Sequence, residues 1–138
     1  MLVGVPKEIK EQEYRVGLTP DSVGEYVAHG HRVLVQVSAG IGMGALDSDY
    51  RSRGAELVDT PEEIFHRANM IVKVKEPQPS EWSQLREGQI LFAYLHLAAD
   101  RAQTEGLLKS GCTAVAYETV TDDQGGLPLL APMSEIAG

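Results

Sequence analysis

The stretch that most limits what this chain can fold into is Gly88 to Asp100, GQILFAYLHLAAD, with its unbroken apolar run Ile90, Leu91, Phe92, Ala93, Tyr94 and Leu95. A strand with one wet face alternates apolar and polar residues, and this run does not. A short continuous run entered through Gly88 and followed by helix-prone sequence reads as a strand covered on both faces, the pattern of parallel strands in α/β proteins. Ligands of such sheets bind in the crevice outside the carboxyl ends of the strands, and that is where the chain delivers His96.

The rest of the chain repeats the same unit. Apolar strand segments are expected at Met1–Pro6, Arg32–Val37, Ala55–Val58, Met70–Lys75 and Thr113–Tyr117, with the strand that carries His96 at the centre. Between them lie capped helices. Thr19 caps a helix with Pro20 at its first position and Val23, Tyr26 and Val27 inward, stopping at Gly30. Asp47-Ser48-Asp49 opens a short helix closed by Gly54, and Thr60-Pro61-Glu62-Glu63 opens another whose buried face is Ile64, Phe65 and Ala68. Ser80–Leu85 forms a short turn around Trp82, and Asp100 caps Arg101–Lys109 with Ala102, Leu107 and Leu108 inward and Gly111 at the stop. Pro132–Gly138 reads as the opening of a further helix, with Ser134 able to cap it. Strand and helix alternating at about 20 to 25 residues imply an α/β fold: a doubly wound, mostly parallel sheet with helices on both faces, Rossmann-like.

Two segments resist easy labels. Lys7–Arg15 is too polar for a core element and is expected to loop over the sheet edge. The glycines of Gly40–Gly44 (GIGMG) do not form a dinucleotide fingerprint, which needs GxGxxG running straight into an apolar helix; a tight loop is the simpler reading.

With 138 residues the chain suits one domain. It has no apolar run of about 18 residues, and charges occupy the place of a signal peptide's apolar region, so a cytoplasmic location and no membrane partner are expected. Cys112 stands alone and reads as a small core residue, without partners for a disulfide or a zinc site, and no metal is expected. A net charge of −8 disfavours nucleic acid, so an anionic substrate must meet locally placed cations. Lys75, His96 and Glu118 end three successive strands and therefore share one edge of a parallel sheet. A cation beside a group that titrates near neutrality suits acid/base work on a small oxo or amino acid. Arg15 is the candidate clamp for its carboxylate, through two parallel hydrogen bonds, or else a surface partner for one of the neighbouring glutamates.

GVPKEIKEQEYRVGLTP, VKVKEP, LFAYLHLAAD, AYETV and LPLLAPMSEIAG together resemble the family of bacterial alanine dehydrogenases and nicotinamide nucleotide transhydrogenase α subunits, from end to end of this chain. The resemblance implies a substrate domain in which Arg15 and Lys75 bind the substrate, His96 is the acid/base catalyst, Met133 lines the pocket, Ser134 contacts the dinucleotide, and Tyr94 and Glu118 support the cleft. It implies L-alanine and pyruvate as ligands, NAD as a cofactor bound mainly by a further GxGxxG domain, and a homo-oligomer, typically a hexamer. The histidine in YLH favours the dehydrogenase branch. By the same resemblance, residues 1–138 are expected to be the N-terminal part of a longer protein, with little dehydrogenase activity alone and with apolar surface exposed. The alternatives are a non-catalytic binding module for small carboxylates and a domain like that of the transhydrogenase α subunit.

Overall fold

A computed structural model describes residues 1–138. Its six short strands are β1 (Leu2–Val5), β2 (Arg32–Gln36), β3 (Glu56–Val58), β4 (Met70–Val72), β5 (Ile90–Ala93) and β6 (Thr113–Ala116). They form one parallel sheet in the order β3-β2-β1-β4-β5-β6, with Val3 facing Val33 and Met70, and Ile90 facing Met70 and Thr113. The chain winds outward from β1 to β3, returns to lay β4 on the other side of β1, and winds outward again. That reversal opens a crevice at the carboxyl ends of β1 and β4.

Successive strand residues point to opposite faces, and each face has its own core. Val3, Val5, Val33 and Val35 pack with Val23 of α1 (Pro20–Ala28) and Tyr50 of α2 (Asp47–Ser52). On the other face Leu34, Ile71, Leu91 and Ala93 pack with Ile64 and Phe65 of α3 (Pro61–Arg67), with Ala68, and with Leu107 of α5 (Arg101–Ser110). The turn α4 (Pro79–Trp82) lies against α5, where Gly106 leaves room for the Trp82 ring. Gly4 does the same for α3: a Cβ there would come within 2.7 Å of Ile64 Cγ2 and 2.8 Å of the Ala68 methyl. Three predicted caps are present, with Thr19 Oγ1 accepting from the Ser22 N–H, Thr60 Oγ1 from Glu63 and Asp100 Oδ1 from Gln103. The glycine-rich loop is a single tight turn at Ile41–Met43, closed by Gly44 at φ +75°. No helix is long and apolar enough to cross a membrane.

Four expectations are corrected. β5 lies next to the edge strand β6, while β1 and β4 hold the centre; the apolar run records that both faces are covered and says nothing of strand order. Leu108 is 77% exposed and Ala102 is exposed too, because α5 turns Gln103 and Leu107, one helical turn apart, to the sheet. Ser134 caps nothing: it sits inside α6 (Ala131–Ala137), which Pro132 opens. The polar loop after β1 does not stay outside, since Glu8 turns into the interior.

Candidate functional site

His96 follows β5 in a conformation that side-chain-bearing residues rarely adopt, φ +48° and ψ +50°. Holding it there takes partners. The Glu118 carboxylate, in the turn after β6, accepts the His96 N–H at 2.8 Å and the Leu95 N–H at 3.1 and 3.2 Å. From the other side the Gln103 amide of α5 donates to the Leu95 carbonyl at 2.9 Å. Glu118 is only 8% exposed, so these N–H groups are what satisfies its charge. The other non-glycine residues at positive φ, Gln12 and Ser38, lie in the loops after β1 and β2. All three therefore sit at the carboxyl edge of the sheet, and such backbone strain tends to collect where a fold keeps its function.

Lys75 and His96 meet around Tyr94. The Lys75 ammonium stands 4.7 Å above the centre of the Tyr94 ring, a cation–π contact, and the Tyr94 and His96 rings are 5.9 Å apart. Tyr94 also packs on Tyr117, whose hydroxyl donates to the Val74 carbonyl at 2.6 Å and touches Met133 Sδ at 3.4 Å. Burial pushes the Tyr117 phenol up to about 12, so it remains a donor near neutrality; the nearby Arg15 charge pulls the other way and is outweighed. Lys75, Tyr94, His96 and Met133 thus form one cluster. Ser134 is exposed on α6 and its side chain joins none of these contacts.

Beneath this cluster, at the crevice between β1 and β4, lies a buried charge group absent from the sequence reading. Lys73 Nζ is 2.8 Å from Glu8 Oε2 and 3.4 Å from Glu81 Oε2, and the three side chains are 2%, 1% and 3% exposed. Glu8 Oε1 accepts the Lys75 N–H at 2.7 Å, so this group fixes the backbone from which Lys75 emerges. Loss of water raises the Glu8 carboxyl above the usual range, against the opposing pull of Lys73.

Arg15 is engaged by Glu13. Its Nε donates to Glu13 Oε2 at 2.9 Å and its Nη2 to Oε1 at 2.7 Å, a two-pronged pair, while the Arg15 backbone N–H also reaches Oε2 at 2.9 Å. Hydrogen bonding to Arg15 holds the Glu13 carboxyl below the usual range, and Lys75 adds to the effect. The pair lines a cavity of about 270 Å³ together with Lys7, Glu8, Tyr14 and Ser38. Lys75 and His96 do not line it.

The sequence reading missed Glu8, Glu13, Lys73, Glu81 and Gln103. For Lys73 a signal existed: VKVK puts two lysines two residues apart, on one side of a strand, where at most one can end in solvent if that side is covered.

The profile described as Alanine dehydrogenase/PNT, N-terminal domain matches residues 4–137. The alanine dehydrogenase of Mycolicibacterium smegmatis is 52% identical over all 138 residues. This chain spans 37% of that relative's length. A solved L-alanine dehydrogenase superposes on 99% of this chain, and 38% of its own, with a TM-score of 0.95 and 52% identity. A transhydrogenase from Sinorhizobium meliloti covers 86% of this chain and 35% of its own, with a TM-score of 0.80 and 27% identity. With the profile covering residues 4–137 and a solved L-alanine dehydrogenase superposing at a TM-score of 0.95, the chain belongs to the alanine dehydrogenase/PNT N-terminal domain family.

Proposed function

We propose that residues 1–138 form the substrate-binding domain of an NAD-dependent L-alanine dehydrogenase, in which this chain handles the organic acid in the interconversion of L-alanine with pyruvate and ammonium. The observation that carries the reading is the meeting of Lys75 and His96 on Tyr94 at the carboxyl edge, each with its backbone held by a buried carboxylate, Glu8 and Glu118. Likeness to proteins named alanine dehydrogenase supports it.

In this proposal Arg15 binds the substrate carboxylate, its planar fork matching the two oxygens. Lys75 donates to the carbonyl or carbinolamine oxygen, where charge builds as the carbon changes hybridisation. His96 carries protons to and from that oxygen and the leaving nitrogen, since an imidazole gives and takes protons near neutrality. Met133 closes the apolar side of the pocket.

The residues present do not fit NAD at the crevice. The loop after β1 lacks GxGxxG, and the crevice is filled by Glu8, Lys73 and Glu81, whose two carboxylates would repel a pyrophosphate. Ser134, exposed on α6, is the residue proposed to touch the dinucleotide from this chain.

The test is titration of the chain with pyruvate, followed by ¹H–¹⁵N spectra. Saturable shifts at Arg15, Lys75 and His96 are expected, with affinity weakened about tenfold or more by Arg15→Ala, the loss of a charge-assisted bidentate contact. Absence of any shift at pyruvate concentrations far above about 1 mM, where binding is worth only about 4 kcal/mol, would refute the reading.

A further inference from the structure

Glu13 and Arg15 differ in how tightly they are held. The Glu13 side chain is 7% exposed and has a second anchor, the Arg15 backbone N–H, which stays in place whatever the guanidinium does. The Arg15 side chain is 44% exposed, so a ligand can reach its guanidinium from the cavity that the pair lines. A ligand carboxylate that takes the guanidinium fork therefore leaves Glu13 where it is, stripped of its strongest cation.

The charge consequences depend on the ligand. An amino acid zwitterion brings a carboxylate for Arg15 and an ammonium for Glu13, so one internal ion pair is exchanged for two complementary ones. An oxo acid brings only the carboxylate, and either shares Arg15 with Glu13 or leaves a nearly buried carboxylate short of a partner, which is unfavourable. Before the ligand arrives, hydrogen bonding to Arg15 holds the Glu13 carboxyl below the usual carboxylate range, so the ligand meets it as a carboxylate.

We propose that Glu13 is a specificity-determining residue that accepts the amino group of the substrate once the substrate carboxylate has displaced it from Arg15. The proposal rests on the reading that Arg15 binds the substrate carboxylate. It makes the Arg15–Glu13 pair a receptor for a zwitterion, biased toward the amino acid over the oxo acid.

The experiment titrates the chain with L-alanine and, separately, with pyruvate, for the wild type, Glu13→Gln and Glu13→Asp. Glu13→Gln should weaken L-alanine binding about tenfold, the usual scale for losing a charged hydrogen-bond partner. The same change should leave pyruvate binding unchanged or tighten it by about threefold, since no internal carboxylate then competes for the fork. Glu13→Asp keeps the charge and should retain the preference for L-alanine; well-dispersed amide spectra check that each variant is folded. If Glu13→Gln changes both ligands by the same factor, or neither, Glu13 does not read the amino group and the proposal fails while the substrate-site reading stands. If the wild type binds neither ligand, both fail.

Discussion

Removing the positive charge of Lys73 should destabilise the domain in a way that depends on pH. Lys73→Met keeps the length of the side chain and leaves Glu8 and Glu81, which met the ammonium at 2.8 and 3.4 Å, facing one another without a cation. Breaking a buried pair by deleting one partner costs about 3–5 kcal/mol. Against a total stability of about 5–15 kcal/mol, that is a large share. With a urea m-value of about 2 kcal/mol/M, the unfolding midpoint falls by about 2 M near pH 8.

The pH dependence follows from Glu8. Burial already raises its carboxyl in the folded chain, and Lys73 is the group that opposes the rise, so the substitution raises it further. A carboxyl whose folded pKa lies above its unfolded value binds protons more tightly when folded. Its protonation favours the fold most at pH below the unfolded value, and that advantage is lost as pH rises through the folded value. The deficit of Lys73→Met relative to wild type should therefore be largest near pH 8 and shrink by half or more near about pH 5. Carboxylates common to both proteins cancel in the difference. Urea titrations followed by far-ultraviolet circular dichroism at the two pH values give the result directly. A deficit below about 1 kcal/mol, or one that is the same at both pH values, would refute the account of a buried cation neutralising buried carboxylates. A second change, Glu8→Gln in the Lys73→Met background, should restore part of the loss, because it removes one of the stranded charges and keeps an acceptor for the Lys75 N–H.

Three other outcomes are expected. Gly4→Ala drives a methyl into Ile64 and Ala68 and should cost about 1–3 kcal/mol, read as a lower thermal midpoint; an unchanged midpoint would mean α3 can retreat from the sheet. Glu118→Ala strips the acceptor from two backbone N–H groups, and hydrogen exchange at Leu95 and His96 should speed up selectively, at a stability cost of about 1–3 kcal/mol; exchange that rises evenly across β5 and β6 would argue against a local clamp. The Glu13 carboxyl is lowered by Arg15, so its pairing supports the fold above the unfolded carboxyl value and is lost as pH falls through the folded one. Glu13→Gln should accordingly differ from wild type in midpoint at neutral pH and converge with it in acid; a constant difference would contradict the pairing.

The layered fold was legible because apolar burial leaves a periodic trace. Runs such as Arg32–Gln36 and Ile90–Ala93, separated by capped amphipathic segments, could only be covered strands and the helices that cover them. Strand order was not legible, since β5 carries a run as apolar as any central strand and lies beside the edge. Of the site, Lys75, His96 and Glu118 were legible as strand-end positions that a parallel sheet brings to one edge, and Tyr94 through the family resemblance. The buried Glu8–Lys73–Glu81 group was not. Lys73 and Lys75 look alike in VKVKEP, two residues apart and each preceded by valine, yet one is sealed in the interior and the other reaches Tyr94. What separates them is Glu8, 65 residues earlier in a loop that reads as pure surface. Polar burial is a property of pairs, so it leaves no period in either segment alone. Side chains at the surface of this site can be found by reading along the chain, whereas Glu8, the carboxylate that holds Lys75, is placed only once β1 and β4 lie side by side.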